Sequence, residues 1–286
     1  MTTEGSQESA PKNPGVRVLI LIPAYNAAAQ VGAVIRGAAQ TGLSVLVVDD
    51  GSSDETRVRA QAAGATVLRH HANRGKGAAL QTGFAYARRL GFEAVLTLDA
   101  DGQHDTREIG KLLAAWQSDP GSLVLGVRSF DPALMPRRSR IGNHISTFFI
   151  SLFAGRRHSD TQTGFRVYPQ RLFRLPLRTR RFDTETELLL CAAKLGVPLR
   201  EVPITTIYSV PPTESAAAAT SPETDAPGPA SPPRTHFRNW EDTLRVLGLV
   251  VSSPWWRASR LDADIDQDDL DAERDLSEIP AQASRT

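Results

Sequence analysis

The stretch Val95-Leu96-Thr97-Leu98-Asp99-Ala100-Asp101-Gly102-Gln103-His104 joins a short apolar run to an acidic turn. The apolar run predicts a buried β-strand, and the glycine permits a sharp turn directly after it. Because ligands of open α/β sheets lie outside the carboxyl ends of the strands, Asp99 and Asp101 would border a binding site. Their carboxylate oxygens suit a hard divalent cation. A solvated turn explains the same residues, since Asp and Gly are ordinary turn formers.

Similar junctions of strand and turn occur on either side of this stretch. Apolar runs at residues 16–22, 44–48, 66–68 and 122–127 predict further strands, with helical patterns between them. A last strand is predicted at residues 201–208. The regular alternation predicts an α/β fold whose mainly parallel sheet is sandwiched by helices.

Polar residues follow these strands and should converge at one edge of the sheet, because right-handed crossovers bring the carboxyl ends of parallel strands together. The residues expected to meet there are Tyr25, Asp49, Asp50, Lys76, Asp99 and Asp101. Lys76 stands between two glycines at a predicted helix start, where backbone N–H groups and positive charge attract phosphate. The required spacing of a Walker motif is absent. These residues therefore predict a cleft at this edge of the sheet that binds a phosphate-bearing ligand and a metal.

Several segments lack the composition of a folded core. Residues 209–233 hold seven Pro and no aromatic residue, which predicts a disordered inserted loop. Residues 261–286 hold nine acidic and two basic residues, which predicts an acidic disordered tail. The expected division is a disordered tail at 1–15, one domain at 16–208, the inserted loop at 209–233, a helical segment at 234–257 and the acidic tail at 258–286.

The chain is expected in the cytoplasm. No apolar run approaches the roughly 18 residues of a membrane span, so any membrane contact should be peripheral. Residues 1–15 are polar and lack the apolar segment of a signal peptide. The lone Cys191 rules out a disulfide framework within one chain.

Arginine is concentrated in the middle of the chain. Residues 128–181 hold twelve Arg and no Lys, which favours phosphate recognition. Nucleic acid is not the expected partner, because the nearby aromatic residues form an apolar stripe and do not alternate with the arginines. That stripe recurs at helical spacing and comprises Ile141, Ile145, Phe148, Phe149, Leu152 and Phe153. This pattern fits an interfacial helix that lies on an anionic bilayer, and it equally fits a helix that packs on its own domain.

Six short motifs occur in order within residues 16–208. They are Pro-Ala-Tyr-Asn (23–26), Val-Asp-Asp-Gly-Ser-x-Asp-x-Thr (48–56), Asn-x-Gly-Lys-Gly-x-Ala-Leu (73–80), Asp-Ala-Asp-Gly-Gln-His (99–104), Gly-Val-Arg (126–128) and Asp-Thr-Gln-Thr-Gly-Phe-Arg (160–166). In this order they resemble family 2 glycosyltransferases, especially the branch with dolichyl-phosphate mannose and glucose synthases. After residue 208 the sequence differs from the family pattern. The family has a Ser-His-Phe-like segment there, whose counterpart in this chain is Arg234-Thr235-His236-Phe237, displaced by the inserted loop.

The resemblance implies a GT-A fold and an inverting, metal-dependent transfer of a sugar. The implied donor is a nucleotide-diphosphate sugar, GDP- or UDP-linked, and the implied cofactor is Mg²⁺ or Mn²⁺. The implied acceptor is a polyprenyl phosphate, dolichyl or undecaprenyl, met at the cytoplasmic face of the membrane by a peripheral enzyme.

The same resemblance assigns roles to individual residues. The donor-binding residues it implies are Pro23, Ala24, Tyr25, Asn26, Asp49, Asp50, Lys76, Asp99 and Ala100. The implied metal ligands are Asp99, Asp101 and Gln103. The implied catalytic and acceptor-side residues are Asp101, Arg128, Arg140, Asp160, Asp183 and Glu185. Asp183 and Glu185 also fit a helix start, where capping and the helix dipole favour acidic residues.

The nature of the acceptor divides the two main hypotheses. A phosphate monoester is already largely dianionic at neutral pH, with a second pKa of about 6, so it needs no general base. A hydroxyl acceptor, on a glycolipid or polysaccharide, would require a carboxylate base.

Three other functions fit the residues less well. A HAD-type phosphohydrolase would carry its acidic motif near the chain start, with Thr after the nucleophilic Asp. An EF-hand loop would place its glycine at His104 and its bidentate Glu at Gly110. A donor-binding regulator without catalysis would have no need of the intact acidic pair and arginines.

Overall fold

The computed structural model shows a seven-stranded sheet with helices on both faces. It describes residues 16–128, 163–175, 177, 179 and 183–205, without the side chains of Arg128 and Asp183. The apolar stripe, the inserted loop, the C-terminal helical segment and both tails lie outside the described residues.

The sheet is mixed but mainly parallel. Its strands are β1 (Val18–Ala24), β2 (Ser44–Asp49), β3 (Thr66–Arg69), β4 (Ala94–Thr97), β5 (Leu123–Arg128), β6 (Arg166–Pro169) and β7 (Leu199–Ile204). Their order is β3-β2-β1-β4-β6-β5-β7. Only β6 runs antiparallel to its neighbours within the described sheet. The predicted α/β fold with a mainly parallel sheet is confirmed.

Helices follow most of the strands. They are α1 (Val31–Ala39), α2 (Thr56–Ala62), α3 (Lys76–Arg89), α4 (Ile109–Gln117), α5 (Gln170–Phe173) and α6 (Asp183–Lys194). None of the described helices has the length and apolar character needed to cross a bilayer.

The central strand β1 contributes to two cores. Leu19 and Leu21 pack on the face that carries α3, α5 and α6. Val18, Ile20 and Ile22 pack on the opposite face with α1 and α4. Side chains alternate along a strand, so a strand covered on both faces requires a continuous apolar run.

Close packing of α3 against β1 sets the position of this helix. A Cβ atom added at Gly83 would collide with the side chain of Leu21, so the helix needs glycine at its point of closest approach. This contact holds the whole of α3, including Lys76 in its first turn, against the sheet.

Two elements differ from the sequence-based expectation. β6 was not predicted, because a strand that begins with Arg166 and ends with Pro169 lacks the apolar pattern of a central strand. The helical pattern expected between β4 and β5 begins at Thr106, but it becomes an α-helix only at Ile109, since residues 106–108 form a 3₁₀ turn whose start is capped by Asp105. The last strand occupies residues 199–204, and residues from 206 onward lie outside the described part.

Candidate active site

The turns after β1 and β2 are bonded to each other at the carboxyl edge of the sheet. The N–H of Asn26 donates to Ser52 Oγ at 2.9 Å, and Asn26 Oδ1 accepts the N–H of Ser53 at 2.9 Å. Asn26 has a φ of 50°, in the left-handed region that asparagine tolerates better than most residues. Beside it, the side chain of Tyr25 is 51% exposed and borders the open edge.

Asp49 is buried at the end of β2, beneath the carboxyl edge of the sheet. Its carboxylate is buried and accepts the N–H of Ser52 at 2.9 Å, while Oδ2 lies 3.5 Å from Arg69 Nε. Ala24, its neighbour across β1 and β2, is also buried. Burial gives Asp49 and Ala24 a structural role in the turn, and direct contact of either with a donor stays a prediction.

Asp50 attaches the loop before α3 to the turn after β2. Oδ1 accepts the N–H of Arg74 at 2.9 Å, and Oδ2 accepts the N–H of Gly75 at 2.7 Å. His70 Nδ1 lies 2.6 Å from Oδ1. Gly75 has a φ of 99°, which residues with a Cβ rarely adopt, and it immediately precedes Lys76. The carboxylate of Asp50 therefore fixes the peptide that leads into the helix.

Lys76 joins two acidic residues from different elements. Its Nζ lies 2.7 Å from Asp99 Oδ1 and 3.2 Å from Glu185 Oε1. Burial by itself would lower the pKa of Lys76, but the charges of Asp99 and Glu185 outweigh it and raise that pKa. The ammonium is thus held charged between the turn after β4 and the first turn of α6.

The acidic turn contains two carboxylates in different surroundings. Burial alone would raise the pKa of Asp99, but Lys76 and His104, whose Nε2 lies 3.6 Å from Asp99 Oδ2, lower it overall. The pKa of Asp101 is raised, first by burial and then by the negative charge of Asp99. Asp101 also accepts the N–H of Gln103 at 2.9 Å. A cation beside this turn would relieve the repulsion between the carboxylates.

The segment around β6 completes the site. A Cβ atom at Gly164 would collide with the carboxylate of Asp99, so only glycine leaves room for it. The hydroxyl of Thr97 donates to the carbonyl of Gly164 at 2.7 Å. Arg166 is fully buried and donates to the carbonyl of Glu185 at 3.0 Å. These contacts hold the start of α6 beside the acidic turn.

The structure brings the predicted residues Lys76, Asp99 and Glu185 into contact, with Asp101 on the same turn. Ala100 is buried and Pro23 is half-buried, so neither is well placed at the surface of the edge. Within the described ranges, no three His, Cys, Asp or Glu side chains form a ready-made metal-binding group. Arg140, Asp160 and the side chains of Arg128 and Asp183 lie outside the described part, so their predicted roles stay predictions.

Comparison with known proteins identifies the family of this chain. The sequence profile described as "Glycosyl transferase family 2" matches residues 19–177, which is more than half of the chain. The chain belongs to glycosyl transferase family 2. The predicted family is therefore confirmed, and the carboxyl edge with its lysine and acidic turn is the candidate active site of a glycosyltransferase.

Named relatives of this glycosyltransferase include two enzymes of lipid-linked sugars. A UDP-N-acetylglucosamine–dolichyl-phosphate N-acetylglucosaminyltransferase of Methanococcus voltae is 29% identical, over 67% of this chain and 86% of that protein. A polyprenol monophosphomannose synthase of Mycolicibacterium smegmatis is 28% identical, over 70% of this chain and 80% of that protein.

A solved structure with a similar fold is glucosyl-3-phosphoglycerate synthase of Mycobacterium tuberculosis, in complex with Mn²⁺, UDP and glucosyl-3-phosphoglycerate. Its TM-score is 0.57 at 20% identity, over 69% of this chain and 74% of that chain. This likeness confirms the GT-A fold of the glycosyltransferase.

Three residues near the site of this glycosyltransferase were not singled out from the sequence as site residues. They are His70, His104 and Arg166. His104 and Arg166 close two of the six motifs, which was a usable signal. His70 belongs to none of them, so only the folded structure reveals its contact with Asp50.

Proposed function

We propose that this glycosyltransferase transfers a sugar, with inversion, from a UDP- or GDP-linked donor to a polyprenyl phosphate. It acts as a peripheral enzyme at the cytoplasmic face of the membrane. The names of the Methanococcus and Mycolicibacterium relatives support this acceptor class. In the structure, the contact between Glu185 and Lys76 carries the proposal.

Glu185 is held as a counter-ion and is poorly suited to act as a general base. Its side chain is only 9% exposed and lies 3.2 Å from Lys76 Nζ. Oε1 of Glu185 faces this mostly buried ammonium, so a Glu185 side chain that turned to a hydroxyl acceptor would leave Lys76 without one of its two partners. An acceptor that carries its own negative charge needs no such base. The arrangement at Glu185 therefore favours a phosphate acceptor over a hydroxyl.

Lys76 supplies positive charge for the donor. Lys76 is the first residue of α3, and the backbone N–H groups of this helix start also favour anions. A diphosphate that reaches this helix start would share Lys76 with Asp99. Because negative charge grows on the diphosphate as the bond to the sugar breaks, a fixed ammonium stabilises the transition state more than the ground state.

The residues of the acidic turn fit a divalent cation. Asp99 and Asp101 are oxygen donors, and burial together with the negative charge of Asp99 raises the pKa of Asp101. The side-chain carbonyl oxygen of Gln103 adds a neutral donor. Mg²⁺ or Mn²⁺ held by Asp99, Asp101 and Gln103 would supply electrostatic stabilisation of the leaving diphosphate. The crystallised Mycobacterium tuberculosis synthase with Mn²⁺ and UDP supports this choice of metal.

In this proposal, Arg128 and Arg140 bind the acceptor phosphate. Arg128 ends β5, and Arg140 follows in the arginine-rich part of the sequence. A guanidinium binds a phosphate through two parallel hydrogen bonds and keeps its charge at any working pH. Asp160 and Asp183 serve this acceptor side without abstracting a proton.

A donor-depletion screen tests the proposal. UDP- and GDP-sugars are incubated with the protein, with Mn²⁺, and with or without undecaprenyl phosphate in detergent. One donor should be consumed much faster with the lipid phosphate present, and Asp101→Asn should slow that consumption by at least ~10²-fold. Asp105→Asn, on the same loop, serves as the control with near-normal consumption, because the half-buried carboxylate of Asp105 pairs with the exposed Arg107 and belongs to neither the acidic pair nor the Lys76 cluster. Consumption that ignores undecaprenyl phosphate for every donor would contradict the proposed acceptor.

A further inference from the structure

The buried His70 connects the ends of β2 and β3 to helix α3, which begins with Lys76. It follows β3 directly and is 1% exposed. Its N–H donates to the carbonyl of Asp49 at 2.9 Å, at the end of β2. Its ring reaches Asp50 on one side and Thr82 of α3 on the other.

The two ring contacts of His70 have different consequences. A carboxylate can only accept, so Nδ1 carries the proton shared with Asp50 Oδ1 at 2.6 Å. Nε2 lies 2.9 Å from Thr82 Oγ1, and a hydroxyl can serve there as donor or acceptor. The imidazole is therefore fixed in orientation, and it fixes the carboxylate of Asp50 in turn.

Asp50 transmits this orientation to the loop before α3. Its two oxygens accept the N–H groups of Arg74 and Gly75, which are the last two residues before Lys76. The same loop packs on the turn after β2 so closely that a Cβ atom at Gly51 would lie 2.5 Å from the carbonyl carbon of Ala72. Rotation of Asp50 would thus remove the two hydrogen bonds that its carboxylate accepts from this loop.

We propose that His70 is a positioning residue of this glycosyltransferase: through Asp50 it fixes the loop 73–75 and so places the ammonium of Lys76 against Asp99 and Glu185. The inference rests on the proposed donor role of Lys76. It assigns to a buried histidine outside the six motifs a function in donor binding. A histidine that only fills the core would affect stability without a specific effect on the loop or on the donor.

Amide hydrogen exchange tests the structural half of the proposal without any substrate. His70→Leu removes both ring contacts at similar volume, and His70→Asn restores an N–H close to the position of Nδ1. In His70→Leu, the amides of Arg74 and Gly75 should exchange at least ~10-fold faster, and His70→Asn should reverse most of this change. Thr82→Val leaves the contact with Asp50 intact and serves as the matched control, with little change at these two amides.

A double-mutant cycle tests the functional half. With the donor that the wild-type protein consumes, His70→Leu should lower kcat/KM for the donor by roughly 10–100-fold while the KM of the acceptor changes little. In the Lys76→Met background the same change should cost less than about threefold, because the group that His70 positions is already absent.

The outcomes separate this inference from the proposed function. Unchanged exchange at Arg74 and Gly75 in His70→Leu overturns the inference, and so do effects of His70→Leu and Lys76→Met that multiply independently. Absence of transfer to a lipid phosphate would overturn the proposed function alone, since the exchange measurement uses the protein without substrate.

Discussion

Lys76 is the residue on which the candidate site depends. It neutralises two carboxylates that would otherwise repel each other in a mostly buried place, and its own side chain is only 16% exposed. Charge pairs of this kind gain little over an apolar pair, but loss of one partner leaves an uncompensated charge behind. The lysine is therefore expected to contribute to folding as well as to donor binding.

Replacement of Lys76 by Met should lower the free energy of unfolding by about 3 kcal/mol, because Asp99 and Glu185 lose their shared cation. Chemical denaturation at neutral pH and without divalent cations measures this difference. Arg59→Met removes an exposed ion pair with Glu55, whose two side chains are 52% and 69% exposed, and should cost less than about 0.5 kcal/mol. Equal costs for the two variants would show that the Lys76 cluster has no special role in stability.

At the scale of single elements, one specific contact helps to position helix α3 and another helps to position strand β7. α3 approaches β1 at Gly83, and this approach keeps the lysine at the carboxyl edge of the sheet. β7 ends at Ile204, and the buried carboxylate of Glu108 accepts the N–H of the next residue, Thr205, at 2.7 Å. Both contacts lie away from the site but determine the position of the elements around it.

Gly83→Ala should destabilise the protein by about 1–3 kcal/mol, because the new methyl group has to displace Leu21 or the helix itself. Gly110→Ala is the matched control, since Gly110 lies in α4 with open space where its Cβ would be. That change should stabilise the protein by about 0.5–1 kcal/mol through helix propensity. Thermal unfolding of the two variants should therefore move in opposite directions, and a stabilising Gly83→Ala would refute the packing argument.

The contact between Glu108 and Thr205 predicts a pH dependence. Burial alone would raise the pKa of Glu108, but hydrogen bonds from Lys111 and Thr205 lower it below the ordinary value of 4.5. A lowered pKa adds stability that is complete above 4.5 and is lost as the pH falls toward the folded-state value. Glu108→Gln should thus be less stable than wild type by about 1–2 kcal/mol at pH 7, with a gap that narrows below pH 4.5. Urea unfolding from pH 7 to pH 3 measures the gap, and a constant gap would contradict the assignment.

Elements that repeat a simple pattern could be predicted from the sequence, and those shaped by distant contacts could not. The strands that lead to Asp49 and Asp99 can be predicted, because each is an apolar run that ends at an acidic turn. β6 could not be recognised in this way, because its first residue is Arg166, which is fully buried and donates to the carbonyl of nearby Thr163 and to that of the distant Glu185. From the sequence alone, an arginine such as Arg166 is predicted to lie at the surface, and only the fold shows that it is buried.

The site shows the same division. The parallel topology predicts that Lys76 and Asp99 share one edge, since both follow strands of the same sheet. The contact of Lys76 with Glu185 depends on how α6 packs, which no local pattern encodes. His70 likewise gains its role only when β3, the turn after β2 and α3 come together.

At the scale of the whole molecule, the proposed function divides the carboxyl edge of the sheet into a donor side and an acceptor side. The donor side comprises the turns after β1, β2 and β4 and the start of α3. The acceptor side is formed by the end of β5, the segment around β6 and the start of α6. Lys76 and Glu185 join the two sides, so a sugar bound at one would face an acceptor at the other. The arginine-flanked apolar stripe at residues 141–153 follows β5 in the sequence, and its interfacial role stays a prediction.

The central claim is that the acceptor is a lipid phosphate, and one measurement tests it most directly. The protein is given the donor it consumes, labelled in the sugar, together with either undecaprenyl phosphate or undecaprenol in the same detergent. The two lipids differ only in the phosphate, so a phosphate nucleophile gripped by arginine predicts labelled lipid from undecaprenyl phosphate and none from undecaprenol. Label transferred to undecaprenol at a comparable rate would contradict the account and establish a hydroxyl acceptor.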